Sequence, residues 1–210
     1  MIAKWTAFLA LLTAGWAYTQ ERADSSVVEL LQQRARTTRV ELNAMLNAAR
    51  MDSLRAAVGQ APDWPRSVRL QFQLGDQLLR AGRTRESIEV FAGLLEQLQR
   101  RPSPAPLRGT WPVHAFLGLA HMRLGEQENC LHHHNTESCL LPVSAAGVHK
   151  LQQGSRRALS EYGAVLAQRP EDGGARWLLN IAHMTLGEYP RQVPAEWVLA
   201  PEVFASEVDV

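Results

Sequence analysis

The side chains best suited to chemistry lie between positions 130 and 149, where both cysteines and four of the seven histidines are found. They are Cys130, His132, His133, His134, Cys139 and His149. Thiolate and imidazole are the ligands that zinc and copper prefer. The stretch therefore predicts a metal-binding or redox site, in which His132, His134 and His149 are the imidazole ligands.

A disulfide between Cys130 and Cys139 is the other use of the two sulfur atoms. It would close a ring of ten residues and stabilise the fold by about 2.5 to 3 kcal/mol, because it restricts the unfolded chain. A zinc site requires reduced thiols, whereas a copper site made of histidines alone is compatible with the disulfide. The disulfide is the main expectation, and bound zinc or copper is the alternative.

The motifs of common enzymes are missing from the sequence. Ser138, Ser144 and Ser155 lie near histidines, but none is framed by a nucleophile-elbow motif. Glycine-rich phosphate loops and a C-x-x-C-H haem motif are also absent from the sequence. We therefore expect no catalytic activity and no resident cofactor other than the possible metal.

The amino terminus has the pattern of a secretory signal peptide. Lys4 precedes an uncharged apolar run from Trp5 to Tyr18, and small residues suit cleavage after Ala17. The run is shorter than the roughly 20 residues that span a bilayer. We expect residues 1–17 to be removed, which leaves no stable membrane span and a protein that is secreted or periplasmic.

The charge balance argues against a nucleic-acid partner. The chain has 22 Lys and Arg against 21 Asp and Glu, and removal of Lys4 with the signal peptide leaves 21 of each. Basic and acidic residues are interleaved throughout, whereas nucleic-acid binders usually gather basic residues on one face. A protein partner is the better expectation.

An internal repeat predicts the architecture. The stretch Ala120–Glu126 resembles Ala182–Glu188 at an offset of 62 residues, which is the tetratricopeptide period of 34 with 28 further residues inserted. The sequence predicts an all-α, short tetratricopeptide-like helical solenoid with a long Cys/His-containing insertion inside one repeat. The expected divisions are the signal peptide (1–17), an amino-terminal helix or helical hairpin (18–65), repeats (66–189) with the insertion at 126–154, and an extended proline-containing tail (190–210).

The repeat register also predicts individual roles. Gly75 and Gly118 are the small residues that let two helices approach closely, and Asn180 stands at the same position of the third repeat. His121 and His183 occupy equivalent positions and are expected to be half-buried structural residues. The candidates for a peptide-binding groove are Asn180, Arg156, Arg176 and Trp177.

Three stretches resemble one known family: 128–142, 147–156 and 175–204, with Asn129-Cys130, Gly147-Val148-His149 and Trp177-Leu178-Leu179-Asn180 among their residues. They are similar to the tetratricopeptide-repeat region of bacterial secreted FG-GAP/VCBS proteins of the ASPIC/UnbV, cartilage-acidic-protein-like type. In that family a calcium-binding β-propeller follows the repeats. The resemblance therefore implies a protein-interaction scaffold that contacts a β-propeller domain, in cis or in a separate chain.

Three functions are consistent with these features. The first is an exported tetratricopeptide-type protein-interaction scaffold that docks a β-propeller or an extended peptide segment. The second is a metal-binding or redox protein that uses the Cys130–His149 stretch. The third is a self-assembling repeat protein, since both ends of a short solenoid expose apolar helix faces and favour a homo-oligomer.

Overall fold

The computed structural model of the protein describes residues 26–39, 43, 45–101, 109–133, 135, 137, 140–143 and 145–204. The contacts divide the chain into one unit that ends at Leu42 and a second that begins at Asn43. The first unit contains a helix over residues 26–37. The predicted signal peptide lies outside the described residues.

The second unit is helical, and its described residues contain no strand. Its helices are α1 (Asn47–Gly59), α2 (Trp64–Arg80), α3 (Thr84–Arg100), α4 (Trp111–His133), α5 (Gln153–Gln168) and α6 (Gly173–Thr185), with 3₁₀ turns at Ala145–Gly147 and Pro201–Phe204. Each helix packs mainly on the next one in the sequence. The predicted all-α class is confirmed. No described helix has both the length and the apolar character needed to cross a membrane.

Two helices begin at aspartates that accept a backbone hydrogen bond. The Asp63 carboxylate accepts from the Arg66 amide at 2.7 Å, at the start of α2. Asp172 does the same for the Ala175 amide at 2.9 Å, at the start of α6. Each contact satisfies an amide that has no partner within its own helix.

Two helix pairs pack through the same contact, a glycine beneath an aromatic ring. In the α2–α3 pair, a Cβ atom on Gly75 would lie 2.6 Å from Cζ of Phe91. In the α4–α5 pair, a Cβ atom on Gly118 would lie 2.8 Å from Cε1 of Tyr162. Both rings are fully buried. Tyr162 of α5 thus packs on α4, although residues 134–152 separate the two helices in the sequence.

Gly82 and Gly187 end α2 and α6 in the same way. Their φ angles are +75° and +72°, a left-handed conformation that favours glycine. In each case the amide that follows the glycine donates to the carbonyl five residues earlier, at 2.9 Å. This is the usual end of a helix at glycine.

Gly125, the equivalent residue of the middle repeat, does not end its helix. It is buried within α4, and a Cβ atom there would lie 3.6 Å from Cα of Gly154 and from the Ser155 amide nitrogen. The following residues, Glu126 to Glu128, are good helix formers. The expectation that the chain leaves the helix at position 126 is therefore wrong, since α4 continues to His133.

The chain after α6 folds back onto that helix. Val193 and Phe204 are buried in the apolar cluster that α5 and α6 also form, and Trp197, Val198 and Leu199 pack against the same cluster. Pro190, Pro194 and Pro201 interrupt any helix in this region. Residues 189–204, called the tail below, thus take the place of a second helix on α6. The predicted tail is not extended throughout, because residues 189–192 and 195–197 form turns and Pro201–Phe204 form a 3₁₀ turn. Residues 205–210 of the predicted tail lie outside the description.

We predict that Gly118→Ala destabilises the protein by about 1 to 2 kcal/mol, although alanine is the better helix former. The new methyl group would lie 2.8 Å from Cε1 of Tyr162, whose ring is fully buried. The measurement is the midpoint of urea denaturation.

Gly163→Ala, in the neighbouring helix α5, is the matched control. A Cβ atom there meets nothing within 4 Å, so we expect a gain of about 0.5 to 1 kcal/mol from helix propensity alone. Equal shifts for the two variants would contradict the proposed contact.

Candidate functional site

Asn180 holds the tail through its side-chain amide. Its Nδ2 donates to the Arg176 carbonyl at 2.8 Å and to the Trp197 carbonyl at 2.9 Å. Its Oδ1 accepts from the Leu199 amide at 3.1 Å. The side chain is fully buried, so these bonds are made away from competing water. The residue predicted for a peptide groove thus binds a non-helical stretch of its own chain that includes the turn at residues 195–197.

Arg176 completes the hold on the same stretch. Its Nε donates to the Trp197 carbonyl at 3.0 Å, and Nη2 donates to the Val198 carbonyl at 2.6 Å. The hydroxyl of Tyr189 donates to the Leu199 carbonyl at 2.6 Å. Side chains therefore satisfy the carbonyls of three consecutive tail residues, whereas the amides of Trp197 and Val198 donate to the Pro194 carbonyl at 2.9 and 3.0 Å.

The other two groove candidates lie beside this contact. The ring of Trp177 stacks on that of Phe204, with centroids 6.5 Å apart, and 40% of Trp177 remains exposed. Arg156, on α5, donates to Glu188 at 3.1 Å and to Gln152 at 2.9 Å. Asn180, Arg176 and Trp177 thus contact the tail. Arg156 pairs with Glu188, the residue that precedes the tail.

Asn129 is a second asparagine of the same kind, and sequence reasoning missed it. Its Nδ2 donates to the Gly125 carbonyl at 2.8 Å and to the Leu151 carbonyl at 2.9 Å. Its Oδ1 accepts from the Lys150 amide at 2.8 Å and the Leu151 amide at 3.0 Å. Asn129 is buried, and it binds the backbone of Lys150 and Leu151, just before α5 begins. The only sequence signal was an asparagine four residues after a glycine that also occupies a repeat position.

His149, a predicted metal ligand, is buried in a polar network. Its Nδ1 lies 3.1 Å from Oγ of Ser155, and Oγ1 of Thr185 lies 2.8 Å from the same oxygen. The His149 amide donates to the Thr185 carbonyl at 2.8 Å. Burial lowers the pKa of His149, an effect that Glu126 partly opposes. The network joins the returning chain to the end of α6.

The remaining candidates for metal or disulfide chemistry are only partly covered by the description. Cys130 is exposed near the end of α4. Cys139, His134 and the side chain of His132 lie outside the described residues, so the Cys130–Cys139 disulfide stays a prediction. Within the described part of the chain, no three potential ligands come together as a metal site. The zinc or copper site at His132, His134 and His149 likewise stays a prediction.

The equivalent histidines of the two repeats are both buried but differ in their partners. Nδ1 of His183 lies 3.1 Å from a carboxylate oxygen of Glu188. Nδ1 of His121 is buried with no hydrogen-bond partner among the described residues. Burial lowers the pKa of both. For His121, Glu161 opposes this effect and Arg157 adds to it.

Comparison with protein-family models, with characterised proteins and with solved structures finds no significant match to this chain.

We predict that Asn129→Ala destabilises the protein by about 2 to 3 kcal/mol, because two backbone amides and two carbonyls lose a buried partner. Hydrogen exchange followed by mass spectrometry should show faster exchange at Lys150 and Leu151. Gln127→Ala on the same helix is the control, and we expect it to change stability by less than about 0.5 kcal/mol. Unchanged exchange at Leu151 in Asn129→Ala would refute this role.

We predict that His121→Phe stabilises the protein by about 1 kcal/mol at neutral pH, because it removes a buried nitrogen without a partner. The folded-state pKa of His121 is lowered, so the unfolded chain binds more protons and stability falls as pH drops below roughly 6.5. His121→Phe should reduce that fall. The measurement is the urea midpoint between pH 5 and pH 8.

His183→Phe is the matched control for this variant. It occupies the equivalent position but removes the contact with Glu188, so we expect it to lower stability at neutral pH. If His121→Phe lowers the stability as much as His183→Phe does, the unpartnered nitrogen of His121 does not destabilise the protein.

Proposed function

We propose that the chain is an exported tetratricopeptide-type scaffold that binds a protein partner. The observation that carries the proposal is the repeated glycine–aromatic contact, Gly75 with Phe91 and Gly118 with Tyr162. Equivalent residues make the same contact in two successive helix pairs, as expected of stacked repeats. Such stacks present one face of their first helices as a binding surface.

Exposed apolar side chains on the first helices support the proposal. Leu119 on α4 is 39% exposed, and Trp177 on α6 is 40% exposed. Tryptophan is among the residues that contribute most to protein interfaces. We propose that these side chains lie in the surface that receives the partner.

The nature of the proposed partner follows from the charge balance and the resemblance. A mature chain with 21 basic and 21 acidic residues favours recognition by shape and apolar contact over long-range attraction. The resemblance to repeat regions that precede β-propellers makes a propeller domain, or an extended segment attached to one, the partner that we propose. The signal-peptide pattern supports an encounter outside the cytoplasm.

The test is quantitative capture from the exported fraction of the source cells with the full chain, compared with two variants. We expect one discrete protein in fixed ratio to the chain, and a roughly tenfold loss of binding for Leu119→Glu, because a charge at an apolar contact is costly. Ala167→Glu is the control, since this exposed residue lies on α5, a second helix, and it should bind normally.

Two outcomes would contradict the scaffold. One is the recovery of no protein, or only of further copies of the chain, which light scattering would identify. The other is an equal effect of Leu119→Glu and Ala167→Glu on binding, since the first-helix face would then have no special role.

A further inference from the structure

The second half of α6 is covered on all sides, although α6 is the last α-helix of the described chain. All seven residues from Leu179 to Thr185 are buried, and seven successive residues of a helix point in every direction around its axis. The helix α5 packs on α6, and the tail packs on it as well. Without the tail, the last helix of the stack would expose an apolar side.

The inner side of the tail is apolar and fixed in place. Val193 and Phe204 are buried in the cluster that α5 and α6 form, and residues 197–199 pack against it. The ring of Phe204 stacks on that of Trp177 with centroids 6.5 Å apart, and Tyr189 meets it edge-on at 5.8 Å. The tail thus gives α6 the apolar cover that a second helix gives to α2 and α4.

The outer side of the tail is polar. Its exposed residues include the charged side chains of Arg191, Glu196 and Glu202. In repeat proteins the terminal unit needs a polar outer face, because an uncovered helix face at the end of a stack would reduce solubility. The tail has this property on its outer side, and the apolar cover on its inner side.

The main chain of the tail is paired within the protein. The amides of Trp197 and Val198 donate to the Pro194 carbonyl at 2.9 and 3.0 Å. The carbonyls of residues 197–199 accept from side chains of α6 and from Tyr189. These groups are therefore not available to the backbone of another chain.

We infer that residues 189–204 are a cap that ends the repeat stack and prevents a second copy of the chain from packing on α6. This inference goes beyond the proposed function, because it concerns self-association and not the partner bound on the first helices. If the tail were detached, two copies would expose the same apolar side of α6. Identical surfaces of this kind pair about a two-fold axis and form a dimer.

The test compares the full chain with its Phe204→Asp variant by size-exclusion chromatography with light scattering over a range of concentrations. A charge at this buried position detaches the end of the tail from α6. We expect the variant to self-associate at a concentration at least roughly tenfold lower than the unaltered chain does.

Val203→Asp is the matched control, since it adds the same charge to the neighbouring residue, which is 58% exposed. We expect it to behave like the unaltered chain. Hydrogen exchange followed by mass spectrometry separates a detached tail from an unfolded chain. In Phe204→Asp, residues 197–203 should exchange faster while α2 and α3 keep their protection.

A second variant loosens the tail without a buried charge. Arg176→Ala combined with Tyr189→Phe removes side-chain hydrogen bonds to the carbonyls of residues 197–199. We expect a smaller shift toward self-association in the same direction. This variant decides the question if Phe204→Asp also loses the protection of α2 and α3.

Two results would overturn the cap. One is a variant whose tail exchanges fast but which self-associates no more than the unaltered chain. The other is equal self-association of Phe204→Asp and Val203→Asp. Either result would leave the scaffold intact, since capture of a partner through Leu119 is measured independently of self-association.

Discussion

The close approach of paired helices at a glycine is the constraint on which the rest of this fold depends. At Gly75 and Gly118 the absence of a side chain creates the space that Phe91 and Tyr162 fill completely. Packing of this density leaves no room for even one further carbon atom. On α6, 62 residues after Gly118, stands Asn180, whose buried amide requires hydrogen-bond partners. Non-helical chain, and not a second helix, packs on α6 at this residue.

Non-helical chain packed on a helix has buried amides and carbonyls that require partners. Asn129 and Asn180 supply them in the same way. Each donates one hydrogen bond to the carbonyl four residues earlier in its own helix, and uses its remaining capacity on the main chain of a non-helical segment. The bond to the preceding turn fixes the orientation of the amide, so the second donor and the oxygen are already aimed at the segment. A buried side chain held in this way loses little conformational entropy when the segment packs against it.

The parts of the fold that follow local rules were predictable from the sequence. The repeat register predicted that two helices approach closely at Gly75 and at Gly118, and both glycines lie beneath a buried ring. Gly125 differs from Gly82 and Gly187, because it lies inside a helix that continues through good helix formers. Its packing on Gly154 and Ser155 is a tertiary contact that no local pattern reveals. The groove candidates were identified from residue type. Their binding to the tail of the same chain was not predicted, because contacts between a helix and an irregular segment follow no sequence period. Asn129 was missed for the same reason.

The turn at Gly187 connects these features. Its left-handed conformation reverses the chain and brings Glu188 back to α6, where its carboxylate lies 3.1 Å from His183 and accepts from Arg156 of α5 at 3.1 Å. An acidic side chain held by two helices fixes the direction in which the chain leaves the turn. The tail is thereby directed back across the face of α6 toward Asn180, and away from continuing the stack. The turn at Gly187 therefore both ends α6 and directs the following segment onto that helix.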